Sequence, residues 1–164
     1  MSATGGVRCW GYNSHGQLGD NTTTNLYSPP SSDALTGVAQ IAAGIYHTCA
    51  LMSRTGGVRC WGYNGHGQLG DKSTNDLHSP PNSDVLKGVA QITIGWAYTC
   101  VLMSETGGVR CWGGNSYGQL GDGNSIDIHS PPSNDVLTGV AQIAAGDSHM
   151  CALMSGAGGM RCWG

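Results

Sequence analysis

The sequence contains no phenylalanine, and only 10% of its 164 residues are charged. Seven Lys and Arg stand against ten Asp and Glu, a formal net charge of −3, which is far from the basic balance of proteins that wrap phosphate backbones. Nucleic acid is not an expected partner. No apolar run approaches the roughly 18–20 residues of a membrane span, and the N-terminal Met1–Gly6 has neither a charged n-region nor an apolar h-region. No membrane partner and no export signal are therefore read from it. No stretch reads as a long helix. Disorder is disfavoured as well, because 39% of the residues are hydrophobic and five are Trp.

Glycine is what the chain has in excess: 28 residues, more than twice the usual share of about 7%. Its placement is periodic. Gly-Gly-Val-Arg-Cys-Trp-Gly begins at Gly5, Gly56 and Gly107 and returns with Met for Val at Gly158, a spacing of 51 each time. The chain is three periods plus an 11-residue end that repeats Met1–Gly11 in altered form.

Within a period, Val38–Gly44 is short and β-branched at alternate points, and so reads as a strand. His47–Met52 and Gly57–Trp61 are separated by Ser53-Arg-Thr-Gly56, a hairpin signal. Gly11–Gly19 reads as a compact turn and Asp20–Pro30 as a loop, with a short edge strand ended by proline. Asp33–Gly37 has room for one helical turn at most. Short strands recurring at this period predict propeller blades, each needing neighbours on both faces.

Val7 to Asp20 (VRCWGYNSHGQLGD) and Val38 to Leu51 (VAQIAAGIYHTCAL) recur at Val58 and Val89 and at Val109 and Val140. These runs resemble the regulator-of-chromosome-condensation repeat, in its bacterial-type, cysteine-containing form. The resemblance implies a β-propeller of about seven blades. Members of that family include an exchange factor for a small GTPase, an inhibitor of β-lactamases and many bacterial proteins of unknown role, so fold alone does not assign function.

The expected class is all-β: a partial propeller of three blades, each with three to four antiparallel strands, plus a duplicated terminal strand. Residues 1–37 form the outer segment of an incomplete blade, 38–88 blade one, 89–139 blade two, and 140–164 a blade lacking its outer segment. Three repeats fall short of the usual 4–8 blades of a ring, which leaves either a fragment or an assembly. A second copy can donate its N-terminal outer segment to the last blade, so a homodimer is the expected state. The Cys-Trp-Gly strand would then be present twice at each junction.

In the hairpin reading Cys49 faces Cys60, Cys100 faces Cys111, and Cys151 faces Cys162. Each bridge would contribute about 2–3 kcal/mol through loop-closure entropy. The alternative is seven reduced, buried thiols. Cys9 is left over, as a free thiol or a link to another chain. Paired cysteines favour an extracellular or periplasmic location.

Catalysis is not expected, because no Gly-x-Ser-x-Gly elbow occurs and the repeats offer near-copies rather than one asymmetric constellation. Positions that alternate between His and Tyr call for a ring with a polar tip more than for a base. No cofactor is implied, and no cysteine or histidine cluster has zinc spacing. The loops starting at Asp20, Asp71 and Asp122 carry oxygens that calcium can use, although they lack the Gly and distal Glu of an EF-hand; capping of their own backbone is the alternative.

Recognition remains, by a protein partner the sequence does not identify. Divergence between repeats is strongest after the inner strand: Ile45-Tyr46-His47, Trp96-Ala97-Tyr98 and Asp147-Ser148-His149. Tyr46, His47, Trp96, Tyr98, Asp147 and His149 are thus the candidate partner-binding residues, with an aromatic wedge between blades as the other role for Trp96. Trp10, Trp61, Trp112 and Trp163 hold register in every copy and are expected in the core. Two further readings stand beside a binding module: an assembly unit with no ligand of its own, and, through the resemblance, an exchange factor for a small GTPase.

Overall fold

The computed structural model describes residues 5–156 and 158–164. The first four residues of the 1–37 segment, and Ala157 in the last hairpin turn, lie outside the described residues. The architecture is all-β. Strands β1 (Val38–Ala43), β2 (His47–Met52) and β3 (Val58–Gly62) form one antiparallel sheet in the order β1-β2-β3. The pattern recurs as β4 (Val89–Ile94), β5 (Tyr98–Met103) and β6 (Val109–Gly113), then as β7 (Val140–Ala145), β8 (Met150–Met154) and β9 (Met160–Trp163). Three such sheets, each packed on the next, make a partial β-propeller.

The expected fourth strand is reduced to two isolated bridges per repeat, Val58 with Leu86 and Gly62 with Leu77 in the first full blade. The prolines of the intervening Ser79-Pro80-Pro81 run have no N–H to extend the pairing. Asp33–Gly37 forms no helical turn: Leu35 bridges Val7, and Asp33 Oδ1 takes the Arg8 guanidinium at 2.6 Å. Arg59 with Asp84 (2.7 Å) and Arg110 with Asp135 (2.6 Å) repeat this tie between third strand and outer segment.

Strand alternation sends each face of a blade into a different core. Cys49 and Leu51 of β2 pack toward the next blade with Ile92, Val101 and Trp112, while Ala50 points back to Val7 and Trp61. All but the last residue of β2 and of β5 are buried, because both faces are covered. The third strands β3 and β6 are buried likewise at all but their arginine, whereas their counterpart β9, with Met for Val, is largely exposed. Trp61 and Trp112 are fully buried, their Nε1 atoms donating to the carbonyls of Gln17 and Gln68 in the preceding repeat, both at 3.0 Å. Trp10 corrects the expectation of four core tryptophans: it is 56% exposed, with no Gly-Gln-Leu-Gly turn against it among the described residues.

Inner strands are clamped by glutamine. Gln40 Nε2 donates to the Ile92 carbonyl (2.9 Å) while its Oε1 accepts from Ile92 N–H (3.0 Å), and Gln91 does the same with Ile143. One side chain thus supplies the pair of hydrogen bonds that a neighbouring strand would make. The cysteines stand opposite one another in register, and Cys49–Cys60, Cys100–Cys111 and Cys151–Cys162 are disulfides, with Cα atoms 4.1 Å apart in each. Cys9 is free, and burial pushes its thiol pKa up.

Candidate interaction surface

Two turn types meet on one side of the molecule: the link after each inner strand, and the Gly-Tyr-Asn-x-His-Gly turn of the preceding repeat. The second is organised by a buried asparagine. Asn13 Nδ2 donates to Asp20 Oδ1 (3.1 Å) and to the carbonyls of Thr22 and Thr24, while Asn13 Oδ1 accepts from Leu18 N–H (3.0 Å). Asn64 and Asn115 hold their loops in the same way. The loop oxygens with calcium-like spacing thus converge on an amide, and Asp20 also caps Thr22 N–H at 3.0 Å. Burial raises the Asp20 pKa, but hydrogen bonds from Thr22 and Asn13 outweigh it and leave the carboxyl below its usual value.

With the turn fixed, its rings are aimed outward. Tyr12, His15, Tyr46, Tyr63, His66 and Trp96 form a continuous stripe across two repeats. Ring centroids are 6.3 Å apart for Tyr12–Tyr46, 5.2 Å for His15–Tyr46 and 4.8 Å for His15–Tyr63. Tyr63–His66 at 6.2 Å and His66–Trp96 at 5.7 Å complete it. Tilted and edge-on contacts at these separations stabilise aromatic pairs. His15 Nδ1 lies 2.8 Å from Asp76 Oδ2 and His66 Nδ1 2.8 Å from Asp127 Oδ2, so each imidazole is locked by a carboxylate of the following repeat. Trp96 remains 42% exposed. Its backbone N–H donates to the Asp147 carbonyl at 3.0 Å, which carries the surface into the third repeat.

The six expected contact residues do not share one environment. Tyr46 and Trp96 lie in the stripe, and Asp147 and His149 are exposed at its far end. His47 and Tyr98 are fully buried, which removes them from the partner-facing set: they begin β2 and β5 and turn into the joint between blades. Tyr98 Oη donates to the carbonyls of Gly146 (3.0 Å) and His149 (2.5 Å). Burial, with a smaller push from the Asp147 carboxylate, raises its phenol above the usual value. His47 Nε2 lies 3.2 Å from Thr99 Oγ1, its Nδ1 has no partner, and burial lowers its pKa to about 4.

Tyr12, His15, Tyr63 and His66 were not expected in the site, because they occupy turns that look like scaffold. One signal was present: the Tyr63 position becomes Gly114, so that ring is not required by the turn itself.

The family profile described as "Regulator of chromosome condensation (RCC1) repeat" matches residues 4–51, 55–102 and 106–153, and a second profile of that description matches 38–68 and 89–119. Human E3 ubiquitin-protein ligase HERC2 is 33% identical over 151 residues, covering 89% of this chain and 3% of that protein. Ultraviolet-B receptor UVR8 of Arabidopsis thaliana is 34% identical over 125 residues, 74% of this chain and 28% of the receptor. The chain thus spans well under a third of these relatives. Among solved structures, human WBSCR16 superposes with a TM-score of 0.78 at 26% identity, covering 97% of this chain and 42% of that one. Yeast RCC1 (Prp20), bound to Kap60, gives 0.70 at 21% identity over 91% and 38%, a likeness of fold.

Proposed function

The chain belongs to the regulator of chromosome condensation repeat family, and from that premise we propose that it is a non-catalytic protein-interaction module that binds polypeptide along the aromatic stripe. The observation that carries this reading is the unbroken run of six rings from Tyr12 to Trp96, with Trp96 42% exposed. Large aromatic side chains fixed in place before binding anchor interfaces at low entropic cost. Asp76 and Asp127 line the stripe beside its histidines and favour a ligand segment carrying apolar and basic side chains. The three disulfides suit an oxidising compartment, extracellular or periplasmic.

A peptide-display library panned on the native chain tests the reading. Enriched peptides are expected to lose roughly tenfold or more in affinity for Trp96→Ala and for Tyr63→Ala, with melting temperatures within a few degrees of the parent. Equal binding to both variants would remove the stripe from the function.

A further inference from the structure

The link after each inner strand carries an exposed residue at one fixed place: Ile45, Trp96 and Asp147 are equivalent in the three repeats. Ile45 and Trp96 are exposed although a following blade packs beside each, so exposure belongs to the position itself. The three residues meet at a concavity of about 230 Å³, with Gly44, Gly95 and Gly146 in its wall. These glycines answer to packing underneath. A Cβ on Gly95 would run into the Tyr98 ring, and one on Gly146 into the His149 imidazole. The same lack of side chains leaves only backbone in that part of the wall.

Polar groups there lack partners. The Gly146 carbonyl accepts from Tyr98 Oη, but the equivalent Gly95 carbonyl accepts no hydrogen bond among the described residues, because His47 stands in the place of Tyr98 and its Nε2 stops at Thr99 Oγ1. A Cβ on Gly44 would lie 3.2 Å from that carbonyl oxygen and 3.4 Å from the buried, unpartnered His47 Nδ1. The Asp147 carboxylate makes no ion pair among the described residues. An indole, a carboxylate and an open carbonyl around one hollow complement a compact cation that has N–H groups to donate.

We propose that this concavity holds the ε-ammonium of a lysine carried by the polypeptide that binds along the stripe, with the Trp96 ring against the charge, Asp147 as its counter-ion and the Gly95 carbonyl accepting one N–H. The inference rests on the stripe reading and adds to it the residue type that anchors the ligand. Trp96 belongs to both surfaces, since its ring also lies 5.7 Å from that of His66, so a chain that follows the rings arrives at the concavity. Ile45 offers apolar surface to the lysine stem, which can lie along it while the head keeps its polar contacts. Asp76 and Asp127 are each engaged by a histidine at 2.8 Å, whereas Asp147 is free to pair.

The lysine side chain alone is the first probe. n-Butylammonium chloride, titrated from about 1 to 100 mM at constant ionic strength, is expected to give a saturable NMR shift of the Trp96 indole N–H, identified by its loss in Trp96→Phe. Asp147→Asn should weaken that binding roughly fivefold or more, and tetramethylammonium, which keeps the charge but has no N–H, should bind the native chain more weakly than butylammonium. A shift that does not saturate, equal binding by Asp147→Asn, or equal or tighter binding of tetramethylammonium would overturn the proposal. In peptides enriched on the native chain, norleucine in place of the anchoring lysine is expected to cost about tenfold in affinity for the native protein and little for Asp147→Asn. Peptides that respond to Tyr63→Ala but to no lysine replacement overturn the lysine anchor while the stripe stands. Peptides that respond to neither overturn the stripe as well.

Discussion

The buried histidine of the first blade should make this protein acid-sensitive in a way that one substitution removes. His47 is fully enclosed, with Nε2 beside Thr99 Oγ1 and Nδ1 unpartnered, and its pKa is lowered from 6.5 to about 4. The unfolded chain therefore takes up a proton near pH 6.5, and the native one does not until about pH 4. The native state's advantage is complete above 6.5 and is lost as pH falls toward 4. The full gap corresponds to about 3 kcal/mol, and roughly 2 kcal/mol of it is lost between pH 7.5 and 5. For a chain of this size that is on the order of 4–8 °C in melting temperature. His47→Tyr introduces the residue present at the equivalent Tyr98, whose hydroxyl reaches two carbonyls of the next blade. The variant should be more stable at pH 7.5 by about 1 kcal/mol, through the replaced unsatisfied nitrogen, and should lack this share of the acid loss. Thermal melts of both proteins at pH 5 and 7.5, disulfides intact, make the comparison; the other five histidines are common to both and cancel. Parallel losses in the two proteins would refute the assignment to His47.

Three other outcomes follow from the joints between blades. Gln91→Ala strips both hydrogen bonds from Ile143 and should cost about 1–3 kcal/mol in urea unfolding, whereas Gln142→Ala, at an exposed amide, should stay within about 0.5. Trp61→Ala removes a fully buried indole and should cost roughly 3–5 kcal/mol, against little for the identical change at Trp10, as read by the same melts. Thiol titration in denaturant without reductant should find one reactive group per chain, Cys9; seven would mean the strand-to-strand pairs are not formed.

The blades were legible because the 51-residue period repeats both strand pattern and punctuation, and the facing cysteines fixed the hairpin register. Burial was less legible. His47 begins β2 directly after Tyr46, which ends the exposed link, so divergence between repeats alone could not separate surface from joint. Trp10 and Trp61 have the same local sequence and opposite environments, because exposure is set by the neighbouring blade. The stripe was half visible for a related reason: its rings come alternately from variable links and from turns that repeat, and only the packing of two repeats places them together.

The glutamine clamps also determine how the molecule comes apart. Each blade is clamped to its neighbour, which makes the array a one-dimensional lattice in which every joint opens and closes on its own terms. Amide exchange should be slowest in β4–β6, which among the described residues has a clamp on both sides.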